Sequence, residues 1–225
     1  VLNLYPGALG FFMFFLLTAF GMDPFLAGLL GGLPRFFDAV TDPVMGFISD
    51  NTSSKWGRRR PYILVGGILS AITFVLLWQL DESKSSDYNF WYFLIMSMVF
   101  LIGNTMFASP LVGLGYEMTS DYNVRTRLMA FSQTVGLLAW VIVPWFWVII
   151  ADPDIFSNQA EGVRTMAIYV GVACLFLGLL PAIFCSGFDS ANMENRKKLT
   201  FTSIFSNLKD LFSSIKEAVK NKPFM

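Results

Sequence analysis

Leu33-Pro34-Arg35-Phe36-Phe37-Asp38-Ala39-Val40-Thr41-Asp42-Pro43 places three charged residues inside an otherwise apolar run. Asp38 and Asp42 are four residues apart and Arg35 is three before Asp38, so a helix carries all three on one face, with neighbouring Cβ atoms about 5–6 Å apart. The surrounding run, Pro24–Ser49, is long enough to cross a bilayer core, which takes about 20 helical residues. Asp38 falls near its middle. There each charge costs about 2.5–3.5 kcal/mol on insertion scales, and three of them approach about 10 kcal/mol before any pairing. Such a face is tolerable only towards a bundle interior or a water-filled cavity. Two carboxylates this close in a low dielectric do not both ionise cheaply, and Arg35 neutralises only one of them. The second is left to a proton, or to a small hard cation such as Na+ held by oxygens. A site that needs an added cation is what ion-coupled transport requires. A static Arg–Asp pair beside a permanently protonated aspartate is the other arrangement the pattern allows.

Working outward, five further apolar blocks reach spanning length: Leu4–Phe20, Pro61–Leu80, Tyr88–Gly115, Leu128–Ala151 and Val163–Phe184. With Pro24–Ser49 they predict six transmembrane helices and an all-α membrane protein, its bundle covering residues 1–186. The composition agrees: 55% of the 225 residues are hydrophobic and 14% charged, in long blocks rather than at the spacing of a soluble amphipathic fold. Net charge is zero, so no basic field points to nucleic acid. There is no histidine, which excludes His-based metal sites and leaves proton chemistry to carboxylates. No nucleophile–base pair or metal-ligand spacing argues for an enzyme. Cys174 and Cys185 read as small buried apolar residues. The chain begins at Val1 and runs out at Lys222-Pro223-Phe224-Met225, which reads as a piece of a longer protein.

Basic residues gather on one side of the spans: Lys55, Arg58, Arg59 and Arg60, then Arg125 and Arg127, then Arg196, Lys197, Lys198 and beyond. The opposite loops carry Asp23, Asp81, Glu82, Asp87, Asp152, Asp154 and Glu161. By the positive-inside rule the basic loops are cytoplasmic, and both ends of this piece lie on the cytoplasmic side of a cytoplasmic (inner) membrane. Residues 187–225 form a cytoplasmic segment in which Phe201, Ile204, Phe205, Leu208, Phe212, Ile215 and Val219 recur at helical spacing, an amphipathic helix for the membrane interface or the bundle surface.

The loop after the second span runs from Gly46 and Asp50 to Gly57-Arg58-Arg59-Arg60-Pro61. It serves as a positive-inside anchor, or as a cytoplasmic gate in which Asp50 and the arginines pair in one conformation and part in the other. Glu117, Asp121, Arg125 and Arg127 supply a matching charged set in the next cytoplasmic loop.

Gly46…Asp50…Gly57-Arg58-Arg59-Arg60 resembles the loop between helices 2 and 3 of the major facilitator superfamily. Arg35-Phe36-Phe37-Asp38-Ala39-Val40-Thr41-Asp42-Pro43 more specifically resembles the helix-2 signature of the glycoside–pentoside–hexuronide:cation symporters, the melibiose permease-like family. Pro110-Leu111-Val112-Gly113-Leu114-Gly115-Tyr116-Glu117-Met118-Thr119, followed by Asp121-Tyr122-Asn123-Val124-Arg125-Thr126-Arg127, is similar to that family's helix 4 and following loop. The resemblance runs over essentially the whole chain in order and spacing. It implies a fold of twelve helices in two halves, of which this chain matches the first six-helix half, and symport of a sugar or glycoside with Na+, Li+ or H+. It also implies that Asp38 and Asp42 bind the coupling cation beside Arg35, with no other cofactor. The missing half and membrane lipid would be the chain's partners. Two departures stand out. A further helix-4 aspartate of the family pattern is Ala108 here, before Ser109-Pro110, and a helix-5 arginine is replaced near Ser132-Gln133. One cation ligand is therefore absent, and H+ or a different ion becomes as open as Na+. The first-helix sugar contacts of the pattern find no match around Phe14–Phe20, so the sugar need not be a galactoside; the alternatives are the same fold carrying an organic anion or a lysolipid, or a non-transporting membrane scaffold.

Arg35, Asn104, Gln133 and Trp140 are the substrate-facing candidates, since sugar hydroxyls need amide or charged partners and sugar rings stack on aromatic faces. Amides inside a membrane also join helices by hydrogen bonds worth about 0.6–2 kcal/mol. Trp145 and Trp147 fit an interfacial aromatic belt. Gly28, Gly31, Gly32, Gly66 and Gly67 permit close helix packing or bending.

Overall fold

The computed structural model describes residues 1–185 apart from Ser53, Lys55 and Glu82. The amphipathic segment expected at 187–225 lies outside the described residues. Among the described residues six helices follow one another: α1 (Leu4–Thr18), α2 (Pro24–Asn51), α3 (Arg60–Leu77), α4 (Ser86–Glu117), α5 (Tyr122–Ala151) and α6 (Gln159–Phe184). Four of them, α3 to α6, are long and apolar enough to cross a membrane; α1 is apolar but only 15 residues long. The 28 residues of α2 include the Arg35, Asp38 and Asp42 charges.

Short polar side chains start the helices. Asp23 accepts the Phe25 N–H at 2.8 Å, with Pro24 in the first turn of α2, and Asn158 accepts the Glu161 N–H at 2.7 Å. These groups satisfy backbone donors that a helix start leaves open. Asp121 does the same for Asn123 and Val124 at 2.7 and 3.0 Å. This moves the start of α5 to Tyr122, six residues before the apolar block at Leu128. The polar loop segment Tyr122–Arg127 is thus a helical extension of the span.

The bundle is built on α3, which packs closely against α4 and α6, while α2 lies along α4. Glycine makes the α3–α4 seam. A methyl group at Gly66 would overlap the Met106–Phe107 backbone, and one at Gly103 would come within 2.8 Å of the Ser70 nitrogen. Gly171 brings α6 close to α3, where a Cβ would lie 3.2 Å from the Ala71 carbonyl. By contrast Gly28 and Gly32 meet nothing within 4 Å, so these glycines of α2 do not serve close packing. Aromatic rings fill the core. Trp78 meets Phe12 and Phe93 edge-on, each at 5.2 Å, and Tyr5 touches Phe74 and Phe100 at 5.0 and 5.3 Å.

Helix α5 is the least enclosed, with only Val143 and Ile150 buried. It meets α1 where Val143 fills the space over Gly7. Trp147 departs from the belt expectation: it turns inward and packs on Phe14 and Phe15 of α1 at 4.8 and 4.9 Å. Trp145 stays 64% exposed. At the end opposite the basic loops, Arg164 of α6 donates to the Leu80 carbonyl and covers the Phe20 ring, and Asn89 of α4 donates to the Asp81 carbonyl at 2.9 Å.

Candidate functional site

The charged turn of α2 is set between two prolines, Pro34 and Pro43, each of which removes one intrahelical hydrogen bond. Arg35 Nη1 lies 3.8 Å from Asp38 Oδ2, the arginine side chain 63% exposed and the aspartate 20%. Asp42, one turn on, is exposed and receives the Ser109 hydroxyl of α4 at 3.5 Å. Thr105, one turn before Ser109 on α4, faces the Asp38 carboxylate. Its side chain is only 2% exposed. Two helices therefore meet through two rungs, Asp38 opposite Thr105 and Asp42 opposite Ser109. The rungs are loose and rich in oxygen, with one cationic side chain against two carboxylates.

Two cavities flank this seam. One of about 250 Å³ lies between α2 and α4 on the far side of Thr105, lined by Thr41, Met45, Ile48 and Met106 among others. The larger, about 380 Å³, lies between α1, α2 and α4. Gly28 and Gly31 open its α2 wall, Phe93, Phe100 and Leu101 form its α4 wall, and Arg35 stands at its edge. Ser97 also borders it but spends its hydroxyl on the Leu94 carbonyl, at 2.8 Å.

The other substrate-facing candidates do not join this site. Asn104 is half-buried on α4, Gln133 is exposed on α5 and Trp140 is 46% exposed there. α4 and α5 touch only marginally, and none of the three lines either cavity beside α2.

At the basic end, the turn before α3 distributes three consecutive arginines to three helices. Arg58 donates to Glu117 Oε1 of α4 and at 3.4 Å to the Asp50 carbonyl of α2. Arg59 binds Asp50 Oδ1 through Nη2 and Nε at 2.6 and 3.2 Å, and Glu117 Oε1 at 3.2 Å. Arg60 donates to the Ala182 and Ile183 carbonyls, where α6 ends, at 2.8 and 3.3 Å. Both Arg58 and Arg59 are buried. Gly57 takes φ +94°, a backbone region open to glycine at little cost, and so turns the chain to present the arginines. Gly113 leaves the floor on which the Arg59 guanidinium rests. Gly46 meets no atom within 4 Å of a Cβ. Arg125, expected in the same charged set, instead donates to the Thr119 carbonyl at 2.9 and 3.3 Å and closes its own turn. Gly113 was not among the sequence-derived site residues, and Thr105 and Ser109, polar residues inside the fourth span, were not paired with the aspartates by sequence. Thr105 and Ser109 share the four-residue spacing of Asp38 and Asp42, which is the one signal by which they could be found.

A family model described as MFS/sugar transport protein matches residues 5–225. An uncharacterized symporter of Synechocystis is 32% identical over 76% of this chain and 32% of its own length. The sodium-dependent lysophosphatidylcholine symporter 1 of Gallus gallus is 31% identical over 60% of this chain and 26% of its length. The lactose permease of Lactobacillus helveticus is 26% identical over 84% and 32%. The chain thus spans less than half the length of the curated relatives it matches.

Proposed function

The chain belongs to the MFS/sugar transport protein family, and from that membership we propose that it is part of a secondary active symporter moving a sugar or glycoside with H+ or Na+. The transport would cross the cytoplasmic membrane by alternating access. The observation that carries this reading is the Asp38–Asp42 pair, which Arg35 balances by only one charge. An added cation neutralises the remaining charge, and a solute bound beside it at Arg35 gains from that neutralisation. Occupancy by ion and solute together is then preferred over either alone, which is the requirement for coupling. Asn104, Gln133 and Trp140 supply amide and ring groups suited to hydroxylated solutes. They would act with a second six-helix half, since such sites lie between repeats. In this reading the Asp50–Arg59–Glu117–Arg58 cluster is the cytoplasmic gate, with Gly57 turning the chain that presents its arginines and Arg125 closing the turn before α5.

The test is uptake of labelled sugars by the full-length protein in proteoliposomes, with Na+ and pH gradients imposed separately. Gradient-driven accumulation that disappears in Asp42→Asn supports the reading. Full accumulation in that variant overturns it.

A second solute class is favoured by one observation. The cavity of about 380 Å³ is walled by Met13, Phe93, Phe100 and Leu101 with the Arg35 charge at its edge, a shape for an amphiphile with an apolar tail and an anionic group. One relative is a lysophosphatidylcholine symporter by name. Including labelled lysophospholipids in the uptake panel decides between the two.

A further inference from the structure

A proline inside a helix cannot donate the hydrogen bond that the carbonyl four residues earlier would accept. Pro34 of α2 leaves the Leu30 carbonyl in this state. Leu30 and Pro34 both line the cavity of about 380 Å³ between α1, α2 and α4, so the opened carbonyl lies on its wall. Leu30 is buried, and a buried carbonyl without a donor is costly. In membrane helices a nearby serine or threonine hydroxyl commonly closes such a gap. Among the described residues this cavity is lined by two polar side chains, Arg35 and Ser97, and both are engaged elsewhere. Ser97 gives its hydroxyl to the Leu94 carbonyl at 2.8 Å, and Arg35 reaches along its own helix to Asp38. The partner of the Leu30 carbonyl must therefore come from what enters the cavity. The approach is open. Gly10 of α1 and Gly28 of α2 have nothing within 4 Å of an added Cβ, and Gly31 has only the Met13 Cε, at 3.8 Å. An entering group thus reaches the α2 backbone directly, with Phe93, Phe100 and Leu101 as the apolar wall opposite. The volume falls within the about 300–1,000 Å³ usual for small-molecule sites, which combine apolar walls with a few placed polar groups.

We infer that the Leu30 carbonyl accepts a hydroxyl of the transported solute, and that Pro34 is the positioning residue that makes it available. The inference rests on the reading of this chain as part of a solute symporter, and it narrows the solute to a hydroxyl-bearing amphiphile. One hydroxyl donates to the carbonyl while the apolar part lies against Phe93 and Phe100, and Arg35 at the edge takes the polar end. A glycoside with an apolar aglycone and a lysophospholipid with its glycerol hydroxyl share this chemistry. A solute without the hydroxyl leaves the carbonyl unpaired, and the site rejects it for that reason.

The experiment is equilibrium binding of two tritiated probes to the full-length protein in nanodiscs, with empty nanodiscs subtracted. The probes are nitrophenyl glucoside and lysophosphatidylcholine, each with analogues lacking one hydroxyl. The wild type, Pro34→Ala and Gly28→Leu are compared, each first shown to melt cooperatively. Pro34→Ala returns the missing N–H, closes the carbonyl and should melt no lower than the wild type. It is expected to bind the probe about three- to tenfold more weakly, the worth of one neutral hydrogen bond. The wild type should lose the same factor with one deoxy analogue, and that analogue should bind Pro34→Ala and the wild type alike. Gly28→Leu, which fills the cavity, should bind neither probe. Which probe the wild type holds tells a glycoside site from a lysophospholipid site. Wild-type affinity in Pro34→Ala or in Gly28→Leu, or a hydroxyl preference that survives in Pro34→Ala, overturns the assignment. A wild type that binds neither probe overturns it as well. Binding in the expected pattern, with no gradient-driven accumulation of the bound probe, keeps the cavity assignment and removes the symport reading.

Discussion

Asp42 and Asp38 are chemically identical neighbours in unlike surroundings. Asp38 is mostly enclosed with Arg35 beside it, and Asp42 is exposed with the Ser109 hydroxyl in reach. Asp42 is thus the carboxylate with the less compensated charge, and Asp42→Asn should lower ion-driven accumulation about tenfold or more, the effect of losing roughly 1.4 kcal/mol of coupling. Solute binding without a gradient should survive. The pair was legible in the sequence because its spacing along one helix fixes its geometry. Thr105 and Ser109 were not, since which face of α4 meets α2 is decided by packing. At the opposite end, Glu117 accepts from both Arg58 and Arg59. Glu117→Gln leaves two buried guanidinium groups short of charge. Breaking a fully buried pair costs about 3–5 kcal/mol, and the partial exposure of Glu117 brings this to about 1–3 kcal/mol. The expected outcome is a looser basic end. A cysteine placed at buried Ser49, in a background lacking Cys174 and Cys185, should then react faster with a membrane-impermeant maleimide applied from that side.

Between helices, the decisive contacts are glycines against backbone. At Gly66 an added methyl group has no room because the Met106–Phe107 main chain occupies it. Gly66→Ala should therefore destabilise the bundle by about 1–3 kcal/mol, the usual range for overpacking, seen as a lower melting temperature in detergent. Gly32→Ala, where nothing lies within 4 Å, serves as the control and should leave melting unchanged or slightly raised, since a helix favours alanine. Both positions read alike in the sequence as glycine in an apolar run, and only the approach of a second helix separates them. The early start of α5 is a case the sequence did carry, in Asp121 followed by Asn123 and Val124. Hydropathy overlooks a polar cap, which is why the apolar block alone put the boundary at Leu128. Asp121→Ala should cost about 1 kcal/mol, with faster amide exchange confined to the first turn of α5.

Over the whole molecule, the contacts are uneven. α3, α4 and α6 form the firm part of the bundle, whereas α2 and α5 carry the charged turn and a broad uncovered apolar face including Phe131, Leu138 and Val141. A site assembled on such an open side needs another element to enclose it. Vesicles containing residues 1–225 alone should accordingly show no solute accumulation under any imposed gradient, and measurable uptake there would mean that this part carries the site unaided. The sequence by itself determined the helical membrane architecture, the charged face of α2 and the arginine loop. Each of these depends on residues near one another along the chain, through bilayer length, helical period or charge bias. Only the tertiary structure decided that Thr105 and Ser109 stand opposite the aspartates, that Arg59 reaches Asp50 and Glu117 while Arg125 does not, and that Gln133 and Trp140 lie apart from the cavity. These depend on which faces of distant helices meet, and that is settled by close packing at a few glycines rather than by any local pattern.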